Sequence, residues 1–119
     1  MTNLIKDIND LKELVDISAQ SGTVTKIPQE VYDNAKAIVN RYPHEFSDKK
    51  YIVFGSYGGI VFESIDEVVS ITIHSKTFSF SVKTAKEDGT EKLLCQNSIE
   101  LTEDNFKKAL EFIDKYKKR

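Results

Sequence analysis

The sequence has very few of the residues that mark several common classes of protein. Its 119 residues include one cysteine, two prolines, five glycines and no tryptophan. A lone cysteine, Cys95, cannot form an internal disulfide, which excludes a small disulfide-stabilised scaffold. The scarcity of proline and glycine excludes a linker-rich chain. Because no apolar run approaches the ~20 residues that span a bilayer, and because charges interrupt the N-terminal apolar residues, we expect a cytoplasmic protein without a membrane segment.

An excess of positive charge is also lacking. Lysine and arginine total 17 against 19 aspartates and glutamates, for a net charge of −2, and both signs are spread along the chain. Nucleic-acid binders usually carry a strongly basic face, so we expect no direct contact with nucleic acid. The length and the 39% hydrophobic content predict a single packed domain over residues 1–119.

Three segments show the spacing of amphipathic helices. The first, which Asn3 can cap, covers residues 1–20 and either packs on the core or belongs to a partner interface. The second begins at Pro28 and is stopped by Pro43, and the third follows a cap at Thr102. The apolar stripe of the first helix consists of Leu4, Ile5, Ile8, Leu11, Leu14 and Val15.

Between the second and third helices the apolar period changes from 3.6 to 2, which predicts strands. Asp88-Gly89 is a strong hairpin signal before the last of them. Short connections favour an antiparallel meander, and three helices on one of its faces make a two-layer α+β sandwich in the order α-α-β-β-β-β-β-α. The predicted strands are residues 51–54, 60–65, 69–73, 78–83 and 91–96.

A glycine-rich turn, residues 55–59, follows the first strand. A phosphate-binding loop would need a helix directly after the glycines, but here a strand follows. The segment therefore predicts a hairpin turn with positive φ angles. Tyr57 at its tip is a candidate anchor for contact with another protein.

The chemistry-bearing residues do not assemble into a catalytic or metal motif. His44 and His74 are thirty residues apart and belong to no set with the ligand spacing of zinc sites. Cys95 follows two leucines and is predicted to be a buried, unactivated thiol, although a nucleophilic pair with a distant histidine stays open. We expect no catalytic residue, no metal and no cofactor.

Glu63, Asp66 and Glu67 bracket the turn between the second and third strands. These acids are either solvated or meet a basic partner, where charge complementarity would speed association. Beside them, one face of the sheet is predicted to be polar and either solvated or a flat docking surface. That face, without aromatic residues for base stacking, consists of Ser70, Thr72, His74, Ser79, Ser81 and Lys83.

The segment from Ala35 to Ile113 resembles small uncharacterised proteins of bacteria and their mobile elements. The matching pieces are the helix end Ile38–Pro43, the strand Gly59–Ser64 and the alternating strand Val69–Ile73. Ser64 stands where those proteins usually have an aromatic residue. The resemblance implies the same architecture and a likeness to antitoxins, immunity proteins and phage inhibitors, which act by covering a partner's surface.

Three hypotheses about function follow. The first is a non-enzymatic module that binds a bacterial protein through Tyr57, Glu63, Asp66 and Glu67 and occludes it stoichiometrically. The second is a small-molecule or nucleotide-binding domain with a pocket between sheet and helices, lined by Tyr42, His44, Tyr51 and Cys95. The third is a small hydrolase that uses Cys95. A homodimer could also form through an exposed sheet edge.

Overall fold

The computed structural model describes residues 3–85 and 89–117, which form three helices and five strands. The predicted α+β fold and meander are confirmed: the strands lie in the order β1-β2-β3-β4-β5 with every neighbouring pair antiparallel. Asp88 of the predicted last turn lies outside the described residues. The elements are α1 (Ile5–Gln20), α2 (Gln29–Arg41), β1 (Tyr51–Ser56), β2 (Gly59–Ser64), β3 (Val69–Ile73), β4 (Thr77–Ala85), β5 (Glu91–Glu100) and α3 (Glu103–Tyr116).

The helices cover one face of the sheet, as their apolar stripes predict. α1 packs on α2 and β1, α2 on β2 and β3, and α3 on β4. Leu4 and Ile8 are fully buried in the common core, whereas Leu14, which the spacing predicts to be part of the buried stripe, is 64% exposed. Leu14 directly precedes the buried Val15, and successive helical residues are about 100° apart around the axis, so its side chain points away from the core.

Local signals explain where several elements begin and end. The Thr102 hydroxyl accepts a hydrogen bond from the N–H of Asn105 at 3.1 Å, which caps α3 as predicted. The Asn3 side chain accepts from the N–H of Ile5 at 3.0 Å at the start of α1. Pro28 directly precedes α2, and α2 ends at Arg41, before the proline that stops it.

Four strands are longer or shifted relative to the prediction, because pairing with a neighbour sets a strand's limits. β4, predicted as residues 78–83, is Thr77–Ala85. β1 extends to Ser56, which pairs with Gly59, so the connection shrinks to Tyr57 and Gly58. β2 ends at Ser64, one residue early. β5 continues to Glu100, and an irregularity opposite Phe78 and Phe80 accommodates the additional length.

Candidate functional site

Tyr57 lies at the tip of the β1–β2 turn and is 95% exposed. Its φ angle is +48° and that of Gly58 is +82°, so both turn residues are left-handed, as in a type I′ turn. This turn favours asparagine, aspartate or glycine at its first position, because a bulky residue there is strained. The chain therefore keeps a large aromatic residue where it is both strained and solvated.

The sheet face opposite the helices carries no helix in the described residues, and we call it the open face. Strand register places its side chains in rows: Ile52, Glu63, Ser70, Ser81 and Cys95 form one, and Phe54, Val61, Thr72 and Ser79 the next. Ile52 is 50% and Phe54 37% exposed. The predicted polar residues do lie on this face, but Phe54 shows that it is not free of aromatic residues.

The three acids of the predicted site do not form one cluster with Tyr57. Glu63 is half-buried on the open face, with Ile52 and Ser70 as its neighbours in the sheet. Asp66 and Glu67 lie in the turn after β2, at the opposite end of that strand from Tyr57, about 20 Å away for six extended residues. Only a partner that covers the length of β2 could touch all four residues.

Asp66 has a structural partner in Ser64. The Ser64 hydroxyl donates to the Asp66 carboxylate at 2.6 Å, and the N–H of Val68 donates to the same oxygen at 3.2 Å. The bond from Ser64 lowers the pKa of Asp66; burial opposes this, while the N–H of Val68 and the charge of Lys117 add to the lowering. Asp66 thus stabilises its own turn.

An uncharged groove of about 770 Å³ lies between α1, the connection that follows it and the β1–β2 turn. None of its fourteen lining residues is charged, in a chain of which 30% of residues are charged. Leu14 and Val24 are exposed on one side, and Phe54 and Tyr57 on the other. Exposed apolar residues gathered along a groove are typical of an interaction surface.

A second cavity, of about 670 Å³, lies between α3, the α2–β1 connection and the β2–β3 turn. Tyr42 and Tyr51 line it as predicted, whereas His44 and Cys95 do not. Burial raises the pKa of Tyr51 to about 12, and the nearby carboxylates of Glu45 and Asp66 contribute to the increase. The charged lining residues are Glu45, Lys49, Lys50, Asp66, Lys107, Glu111, Asp114 and Lys117.

Cys95 is exposed on the open face, so its predicted burial is wrong. It lies in β5, the outer strand, where the side chain opposite is the small Ser81. In β3 the residue in the same row as Cys95 is Ser70. His74 lies four residues after Ser70, just beyond the end of β3. This separates the two side chains by about 13 Å along the strand and by two strand spacings, beyond hydrogen-bond reach. His44 lies in the α2–β1 connection, before β1 at the other edge of the sheet.

Sequence reasoning missed Ile52 and Phe54 as members of the candidate surface. The signal was present, because Tyr51 to Phe54 is a continuous apolar run rather than an alternating one. A strand with this pattern is usually covered on both faces. In the described structure only one face of β1 is covered by a helix, so its other face is an uncovered apolar surface.

Neither a metal site nor a membrane helix is found in the described part of the chain. No group of three or more His, Cys, Asp or Glu side chains there is arranged to hold a metal ion. α1, the longest described helix at 16 residues, is too short and too polar to cross a bilayer, and the same holds for α2 and α3. No protein family, curated protein or solved structure matches this chain.

Proposed function

We propose that the protein is a non-enzymatic binding module that occludes a bacterial partner protein stoichiometrically, in the manner of an antitoxin, an immunity protein or a phage anti-defence inhibitor. Tyr57 carries the proposal. A tyrosine with φ of +48° and 95% exposure has two local costs, and contact with a partner would offset both. Tyrosine is also among the residues most enriched at binding hot spots.

The surroundings of Tyr57 fit such a contact. Ile52 and Phe54 extend the apolar surface from the turn along β1, and Glu63 adds one carboxylate within the same face. An apolar centre with polar residues around it is the usual anatomy of a protein interface. In this proposal Asp66 and Glu67 meet basic groups at the far end of β2, where exposed charges affect association rate more than affinity.

The test is affinity purification of the tagged protein from its native host, read by mass spectrometry for wild type, Tyr57→Ala and Tyr116→Ala. Tyr116 is the matched control, since it is an exposed aromatic residue on α3, away from the open face. We expect one dominant partner at near-equal stoichiometry with wild type and the control. The Tyr57→Ala variant should bind this partner more weakly than wild type by roughly 2 kcal/mol, about thirtyfold.

Two results would contradict the proposal. Recovery of the bait alone from the host would argue against a stable complex. Equal recovery of the partner by wild type and Tyr57→Ala would remove Tyr57 from the interface, and with it the observation on which the proposal rests.

The cavity beside α3 favours a second candidate, a small-molecule or nucleotide-binding domain. Its volume of about 670 Å³ lies within the usual range for ligand sites, and a protonated Tyr51 could donate a hydrogen bond to a bound ligand. A nucleotide that raises the melting temperature of wild type but not of Tyr51→Phe would favour this candidate, because a ligand that binds only the folded state stabilises it.

A further inference from the structure

The two outer strands of the sheet differ in how their free edges are protected. β5 has the irregular register beside Phe80, a left-handed Ser98 with φ of +55°, and charged residues at both ends. Bulges and charges are the usual devices that prevent one sheet edge from pairing with another. β1 has neither, because Tyr51–Ser56 contains no charge and no proline and its pairing with β2 is regular.

The free hydrogen-bonding groups of β1 can be assigned from its turn. In a two-residue turn the first and fourth residues, Ser56 and Gly59, form a hydrogen-bonded pair, and such pairs alternate along the strands. The main-chain groups of Val53 and Gly55 therefore point away from β2. Among the described residues, these main-chain groups of Val53 and Gly55 form no hydrogen bond with any other main-chain group. The N–H of Tyr51, in contrast, already donates to the carbonyl oxygen of Ser47 at 3.0 Å.

We infer that the edge of β1 pairs with β1 of a second copy of this chain, antiparallel and with Phe54 on the two-fold axis. In this register Val53 of each chain lies opposite Gly55 of the other, and all the free groups of both residues are used in four hydrogen bonds. Centring the pair on Val53 instead would place Gly55 opposite Tyr51, whose N–H is occupied.

Side-chain complementarity identifies the occupant as a second copy. On the axis Phe54 faces Phe54 of the other chain in a non-hydrogen-bonded pair, the arrangement with the closest side chains. No like charges oppose each other along Tyr51–Ser56. The uncharged groove beside the edge, with exposed Leu14 and Val24, offers further apolar surface to the incoming chain.

This inference rests on the sheet edge and not on the proposed function. A two-fold axis perpendicular to the sheet leaves both open faces exposed on the same side of a ten-stranded sheet. The two proposals share Phe54 and the groove beside Tyr57, but their tests are distinguishable, because the dimer is read from the mass of the purified protein and the partner from its recovery by Tyr57→Ala.

Sedimentation equilibrium at concentrations up to roughly 0.5 mM tests the dimer, which should form in the micromolar range. We expect wild type to approach twice the monomer mass of 13.6 kDa. Phe54→Lys places like charges face to face and should weaken the dimer at least tenfold. Leu93→Lys is the matched control, because Leu93 is an exposed apolar residue (56%) on the open side of β5. The inference is overturned if wild type is monomeric, or if Leu93→Lys disrupts the dimer and Phe54→Lys does not.

Disulfide trapping tests the register and does not depend on the folding of Phe54→Lys. In a Cys95→Ser background, Phe54→Cys should form a covalent dimer on mild oxidation, because facing residues of such a pair are within disulfide distance. Ile52 is more exposed than Phe54, but it lies two residues from the axis and about 13 Å from Ile52 of the other chain. The Ile52→Cys variant should therefore stay monomeric on non-reducing electrophoresis. Equal trapping of both variants overturns the register.

Discussion

At the scale of single residues, Ser64 is the most connected polar side chain of the candidate region. Its hydroxyl accepts from the N–H groups of Val68 at 3.0 Å and Val69 at 2.8 Å and donates to Asp66. Ser64→Ala would leave the buried N–H of Val69 without this acceptor, so we expect a loss of about 1–3 kcal/mol in unfolding free energy by urea denaturation. Ser70→Ala on the open face is the control and should stay within about 0.5 kcal/mol; equal losses would contradict the role given to Ser64.

The same contact predicts a pH dependence. Since the folded-state pKa of Asp66 is lowered from 3.8, its charged form stabilises the fold above that pH, and the contribution is lost as pH falls through the folded-state pKa. In the Ser64→Ala variant the pKa of Asp66 should return toward its ordinary value, as measured by NMR titration of the side-chain carboxyl. An unchanged pKa would mean that the Ser64 hydrogen bond does not hold the carboxylate.

At the scale of elements, capping at Thr102 determines where α3 begins. Because α3 begins at Glu103, the side chain of Phe106 in its first turn points into the core. Thr102→Ala removes the acceptor for the N–H of Asn105 and should lower the unfolding free energy by about 1 kcal/mol. Thr102→Ser keeps the hydroxyl and should therefore retain most of the unfolding free energy that Thr102→Ala loses. If denaturation curves show the serine variant to be as unstable as the alanine variant, the cap is not the cause.

At the scale of the whole molecule, α1 is predicted to unfold together with the sheet. Ile8 is fully buried in the core that α1 shares with α2 and the strands. Ile8→Ala should therefore lower the global unfolding free energy by about 2–5 kcal/mol in a single transition. Ile17→Ala, on the same helix but 66% exposed, should change it by less than about 0.5 kcal/mol. Two separate transitions would show that α1 is peripheral to the core.

The sequence by itself determined the order of the elements, the antiparallel meander and the layer of helices. These features depend on local patterns: periods of 3.6 and 2, the threonine cap of α3, and connections too short for crossovers. The exposure of Tyr57 was also predictable, because a residue between turn glycines has few neighbours. Tyr42 and Tyr51 line a common cavity, as predicted, because they lie at the two ends of one short connection, Tyr42 directly after α2 and Tyr51 as the first residue of β1.

Only the tertiary structure decided which of the candidate residues share a surface. Strand register put Cys95 on the open face, far from His74, and put Glu63 on the same face beside Ile52. Packing left Leu14 uncovered although its spacing fits a buried stripe. Register and packing depend on contacts between residues distant in the chain, and a periodic pattern records only that a residue is apolar, not whether this chain or another covers it.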